Sequence, residues 1–84
     1  MPIGLSLDQA PEGRTLRIVS VQGGERVRRR LFSLGFHVGA CVEVSTRGIL
    51  KGPLLVRNLK SETSLALGRG VARKIQVEVS PDEP

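Results

Sequence analysis

The sequence predicts a mainly-β fold: a small, partly open barrel of about five short strands, with one short helix after the first strand. Three observations carry this. Apolar and polar residues alternate in several short runs. Gly, Pro and polar clusters separate those runs closely. Only one stretch has helical spacing, and 84 residues favour a partly open barrel over two full sheets.

The elements follow in order. Leu5 and Leu7 face the same way in an extended chain and read as a docking segment, ended by the turn signal Pro11-Glu12-Gly13. Arg14 to Val21 is the first main strand, with Leu16 and Ile18 set against Arg17 and Val19. Glu25 to Leu34 is the helix, because Val27, Leu31 and Leu34 fall on one stripe. Glu25 suits the positive end of the helix dipole, and Gly35 suits a left-handed C-cap after which Phe36 folds back. Val38-Gly39-Ala40 turns into a strand over Cys41 to Thr46. Strands over Leu54 to Leu59 and Ser64 to Leu67 flank the polar turn Lys60 to Thr63. Gly68 to Ala72 fits one tight turn, and Arg73 to Val79 has the clearest alternation in the chain. Residues 1–84 thus form one domain with a core over about 5–79 and a flexible tail at 80–84.

Composition narrows the function. The single Cys41 excludes an internal disulfide or a multi-thiolate zinc site, and it fits a reducing cytoplasm. No apolar run is long enough to span a bilayer, so membrane insertion is not expected. Ten Arg and three Lys oppose eight acids, giving a net charge of +5. Such a surface suits nucleic acid, an anionic membrane or an acidic protein. Phe32 and Phe36 are the only aromatics, and both are expected to pack near the helix exit, leaving no platform for stacking bases. Nucleic acid is therefore the second reading and not the first.

The candidate residues are few. Arg28-Arg29-Arg30 spreads around the helix, with Arg26 and Arg29 facing outward and the Arg30 stem over the core edge. This face is either a solvated surface or a contact for an acidic partner. In the loop Arg47 to Pro53, Ile49 and Leu50 beside Lys51 sit where loop tips are normally polar. They either fold back on the barrel or present an apolar contact. His37 is read as an exposed loop residue and Cys41 as half-buried. His37 with a carboxylate offers a weak surface site for an adventitious divalent metal, and no cofactor is required. Gly68-Arg69-Gly70 begins a dinucleotide fingerprint but lacks the rest of it, and there is no P-loop. With one His, one Cys and no paired acids, there is no acid/base team, so an enzyme is not expected.

Arg29-Arg30-Leu31, Leu34-Gly35-Phe36 and Gly39 resemble the Arg-Arg-Leu, Leu-Gly-apolar and Gly signature of the FeoA family of bacterial ferrous iron transport. Leu7 to Gly13, Gly52-Pro53, and Leu65-Ala66-Leu67 with Ala72 and Ile75 match its further pieces in order. The likeness covers residues 5–79; His37-Val38 departs from it where Pro before Gly39 is common. It implies a Src-homology-3-like (SH3-like) barrel. It also implies a non-catalytic, cytoplasmic accessory protein that contacts the cytosolic part of the FeoB membrane permease and lies at the inner membrane through it. The contact residues come from chemistry instead: Arg26, Arg29, Ile49, Leu50 and Lys51. A small nucleic-acid-binding barrel, or a freestanding relative of the C-terminal barrel of metal-dependent repressors, is the alternative. Open strand edges would also permit a homo-oligomer.

Overall fold

The computed structural model describes residues 4–46, 48 and 52–80. In chain order the elements are β1 (Leu5–Ser6), a 3-10 turn (Leu7–Gln9), β2 (Leu16–Val21), α1 (Glu25–Ser33), β3 (Cys41–Thr46), β4 (Leu54–Asn58), β5 (Ser64–Leu67), α2 (Arg69–Ala72) and β6 (Ile75–Val79). The strands form one antiparallel sheet in the order β1-β6-β2-β3-β4-β5. Its two ends, β1 and β5, do not pair with each other, so the barrel is partly open.

The sheet has one strand more than expected. Leu5 pairs with Val77 and Ser6 with Gln76, which covers an edge that β6 would otherwise leave bare. The N-terminal segment is extended only this far. Leu7 opens a 3-10 turn and is fully buried, so it does not share one extended run with Leu5. The register slips between Ile18 and Ser20 in β2, and between Val44 and Thr46 in β3. Such bulges bend strands and increase twist, which helps a short sheet curl round its own core.

That core is aliphatic. Leu16, Ile18, Val42, Val44, Leu54, Val56, Ile75 and Val77 are all fully buried, each from the inward face of its strand. Leu7 and Ala10 close one side, and Leu31, Phe36 and Ala72 join from outside the sheet. Cross-strand ion pairs Arg17–Glu78 at 3.6 Å and Arg57–Glu43 at 3.3 Å lie on the outer face at paired positions. The Pro11-Glu12-Gly13 turn is held where Glu12 bridges Val44 and the Gly13 N–H donates to the Val44 carbonyl at 3.1 Å.

Helix α1 ends as its sequence requires. Gly35 has φ of 90°, in the left-handed region open to glycine. The Phe36 N–H donates to the Leu31 carbonyl at 2.8 Å, and the Gly35 N–H to the Phe32 carbonyl at 3.0 Å. This pair of bonds is a Schellman motif, and its usual apolar contact is supplied by Phe36 and Leu31, both in the core. The stripe is only partly covered: Leu31 is buried, Val27 is half-buried and Leu34 is exposed.

One buried polar residue ties the helix exit to the sheet. Asn58 donates through Nδ2 to the Gly35 carbonyl at 2.7 Å, and its Oδ1 accepts from the Lys60 and Ser61 N–H groups at 2.9 and 3.0 Å. The glycine-rich segment at 68–70 is more regular than its composition suggests. It forms the single turn α2, where the Ala72 N–H donates to Gly68 and the Arg73 N–H to Arg69.

Candidate partner-binding surface

The outward side of α1 is divided by its helical geometry. Successive residues turn by about 100°, so Arg26, Arg29, Arg30 and Ser33 share one face, while Arg28 and Phe32 share another. The first group lines a shallow hollow of about 530 Å³ with Glu25. Arg29 donates from Nη2 to Glu25 Oε2 at 2.8 Å across one helical turn. Among the described residues, Arg26, Arg28 and Arg30 have no carboxylate partner within ion-pair distance. The expected pair Arg26 and Arg29 is therefore brought together, and Arg30 joins it. The Arg30 chain also borders an apolar groove of about 290 Å³ against β5 and α2, lined by Val27, Leu31, Leu34, Leu65 and Val71.

Phe32 corrects a sequence expectation. It meets the helix exit only through His37 and stays 65% exposed, whereas Phe36 is 1% exposed. The reason lies in the wheel. Phe32 stands one residue past Leu31, about 100° round from the core stripe. Its ring lies 4.9 Å from the His37 ring at 39°. Val38 beside them is 60% exposed. The helical angle of Phe32 in the sequence already sets it off the core stripe, although its hydrophobicity suggests burial.

His37 and Cys41 border one hollow although their spacing is not helical. Both line a hollow of about 230 Å³ with Gly39, Ala40, Asn58 and Lys60. His37 Nδ1 lies 3.0 Å from the Val38 carbonyl oxygen, which can only accept. The contact is a hydrogen bond in which Nδ1–H donates to that carbonyl. His37 is half-buried against Phe32, not a free loop side chain. Cys41 is exposed, not half-buried, because it is on the outward face of β3 while Val42 points inward. Among the described residues, no three His, Cys, Asp or Glu side chains converge as a metal site. Ile49, Leu50 and Lys51 lie outside the described residues. Asn58, which holds the helix exit in place, was not singled out by sequence reasoning; a polar side chain at an inward position of β4 was the available sign.

Comparison with known proteins then decides the relationship. The FeoA domain model matches residues 5–79. The chain belongs to the FeoA family. The FeoA protein of Chlorobium tepidum is 29% identical, with a TM-score of 0.77 over 94% of this chain and 74% of that one. A zinc-complexed FeoA of Stenotrophomonas maltophilia, described as a prokaryotic SH3 domain protein possibly acting as a ferrous iron transport activating factor, is 30% identical. It has a TM-score of 0.72 and covers 87% of this chain and 88% of its own. A manganese-dependent transcriptional repressor shares the fold at 20% identity and a TM-score of 0.83, over 95% of this chain but 44% of the repressor. No curated protein matches significantly. The FeoA fold here is thus the SH3-like barrel that the sequence implied, and no helix among the described residues is long and apolar enough to cross a membrane.

Proposed function

We propose that this FeoA domain is a non-catalytic accessory factor of bacterial ferrous iron uptake that acts by contacting the cytosolic part of the FeoB permease. The observation that supports this reading most is the family match over residues 5–79, combined with an α1 face on which Arg26, Arg29 and Arg30 line one hollow. A basic, shallow surface recognises an acidic protein patch through charge complementarity, which steers association and fixes register. The chain modulates transport and does not carry iron itself. It works in the cytoplasm and reaches the inner membrane through its partner. Ile49, Leu50 and Lys51 enter the reading through their sequence alone, as apolar and basic candidates for contact.

The test is capture of the permease's cytosolic domain by this chain. Binding should fall on the order of tenfold in Arg26→Glu with Arg29→Glu. Unchanged capture by that double variant removes α1 from the contact, and unchanged capture by Ile49→Asp with Leu50→Asp removes the loop. No capture by the wild-type chain refutes the reading.

A further inference from the structure

The second face of α1 carries a separate hollow. It has a volume of about 270 Å³ and is lined by Val21, Arg28, Phe32, Phe36, His37 and Val38. Its walls are mostly apolar, yet two of them stand in water: Phe32 is 65% exposed and Val38 is 60% exposed. The Phe32 and His37 rings brace each other at 4.9 Å, which holds one wall in position. Phe36, placed by the Schellman motif and 1% exposed, forms the floor. Exposed apolar side chains scattered singly need no explanation, but a braced, concave cluster of them is the form of a recognition pocket.

Charge indicates what enters it. Arg28 forms part of the wall and has no carboxylate partner among the described residues. Four Arg of α1 face one Glu, and that Glu25 is engaged by Arg29. We infer that this hollow seats a single apolar side chain of an acidic peptide segment, with Arg28 and the neighbouring arginines pairing the carboxylates that flank that anchor. Apolar anchors in water-excluding pockets, ringed by complementary charge, carry most of the affinity of such contacts. The hollow between the exposed Phe32 and Val38 side chains can take one inserted apolar side chain, and the α1 arginines suit carboxylates beside it. The inference rests on the accessory reading above and adds the chemistry of the partner at α1.

The experiment uses the full chain labelled with nitrogen-15 and a synthetic peptide in which one Leu is flanked by glutamates. The permease is absent, so failure here is separate from failure of the capture experiment. Chemical-shift changes should concentrate at Val21, Arg28, Phe32, His37 and Val38. Replacing the peptide's Leu by Ser should weaken binding about tenfold, as should Val38→Glu in the protein. Arg28→Glu is the second variant, and circular dichroism confirms that both variants fold. Shifts confined to Arg26, Arg29 and Arg30, or equal binding of the Ser peptide, overturn the inference. So does tighter binding to phosphatidylglycerol vesicles or single-stranded RNA with the same footprint.

Discussion

Among the described residues, Asn58 is the buried polar side chain, and it makes three hydrogen bonds. It is 6% exposed and makes the only described side-chain hydrogen bond to the Gly35 carbonyl, which joins the exit of α1 to β4. Asn58→Ala leaves that carbonyl without its donor and frees two turn N–H groups, which water can partly reach. The expected loss is about 2 kcal/mol, read from urea unfolding midpoints. Gly35 and Gly39 give a second comparison. Both have positive φ, 90° and 94°. A Cβ on Gly35 would lie 3.0 Å from Asn58 Nδ2, while one on Gly39 meets nothing within 4 Å. Gly39→Ala should therefore cost about 1–2 kcal/mol from backbone strain alone. Gly35→Ala should cost more, because Asn58 must also give way. Equal losses would show that the Asn58 contact is easily relaxed.

Helix α1 and the turn that ends it use their two aromatics for opposite purposes. Phe36 is a core residue placed by the cap, and Phe36→Ala should cost about 3–5 kcal/mol. Phe32 stands outside the core, so Phe32→Ala should stay within about 0.5 kcal/mol. Thermal or urea unfolding of the two variants checks both. A large loss at Phe32 would mean that its ring supports the fold through His37. Propensity alone does not hold a helix of nine residues. Leu31 and the Phe36 clasp dock it, and its remaining faces are left for contact.

The barrel is more basic than the net charge of the whole chain indicates. Asp82 and Glu83 lie in the last residues, so residues 1–79 carry +7. Among the described acids, Asp8, Glu25, Glu43 and Glu78 are each engaged by an Arg. Among the described residues, Arg26, Arg28 and Arg30 have no carboxylate within ion-pair distance and are left to act outward. The proposed association with the permease's cytosolic domain should slow on the order of tenfold between low and physiological salt, with dissociation changing little. Stopped-flow or surface-binding kinetics measure this, and salt-independent association would argue against a charge-steered encounter.

Much of this was legible in the residues. The strands Cys41–Thr46 and Ser64–Leu67 keep the bounds that alternation gives them, because each has one face buried and one wet. The C-cap at Gly35 and the return of Phe36 follow from local backbone chemistry. Family membership was also legible, since order and spacing survive where single residues do not. Three things were decided by tertiary structure. The sixth strand exists because β6 offers an edge, which Leu5 and Ser6 cannot report by themselves. Asn58 is buried because β4 carries its side chain to the Gly35 carbonyl, 23 residues away in sequence. The Phe32 hollow exists because the end of β2 and the 36–38 exit arrive beside one face of α1. Local periodicity specifies which way a side chain points; only the packed fold specifies what it meets there.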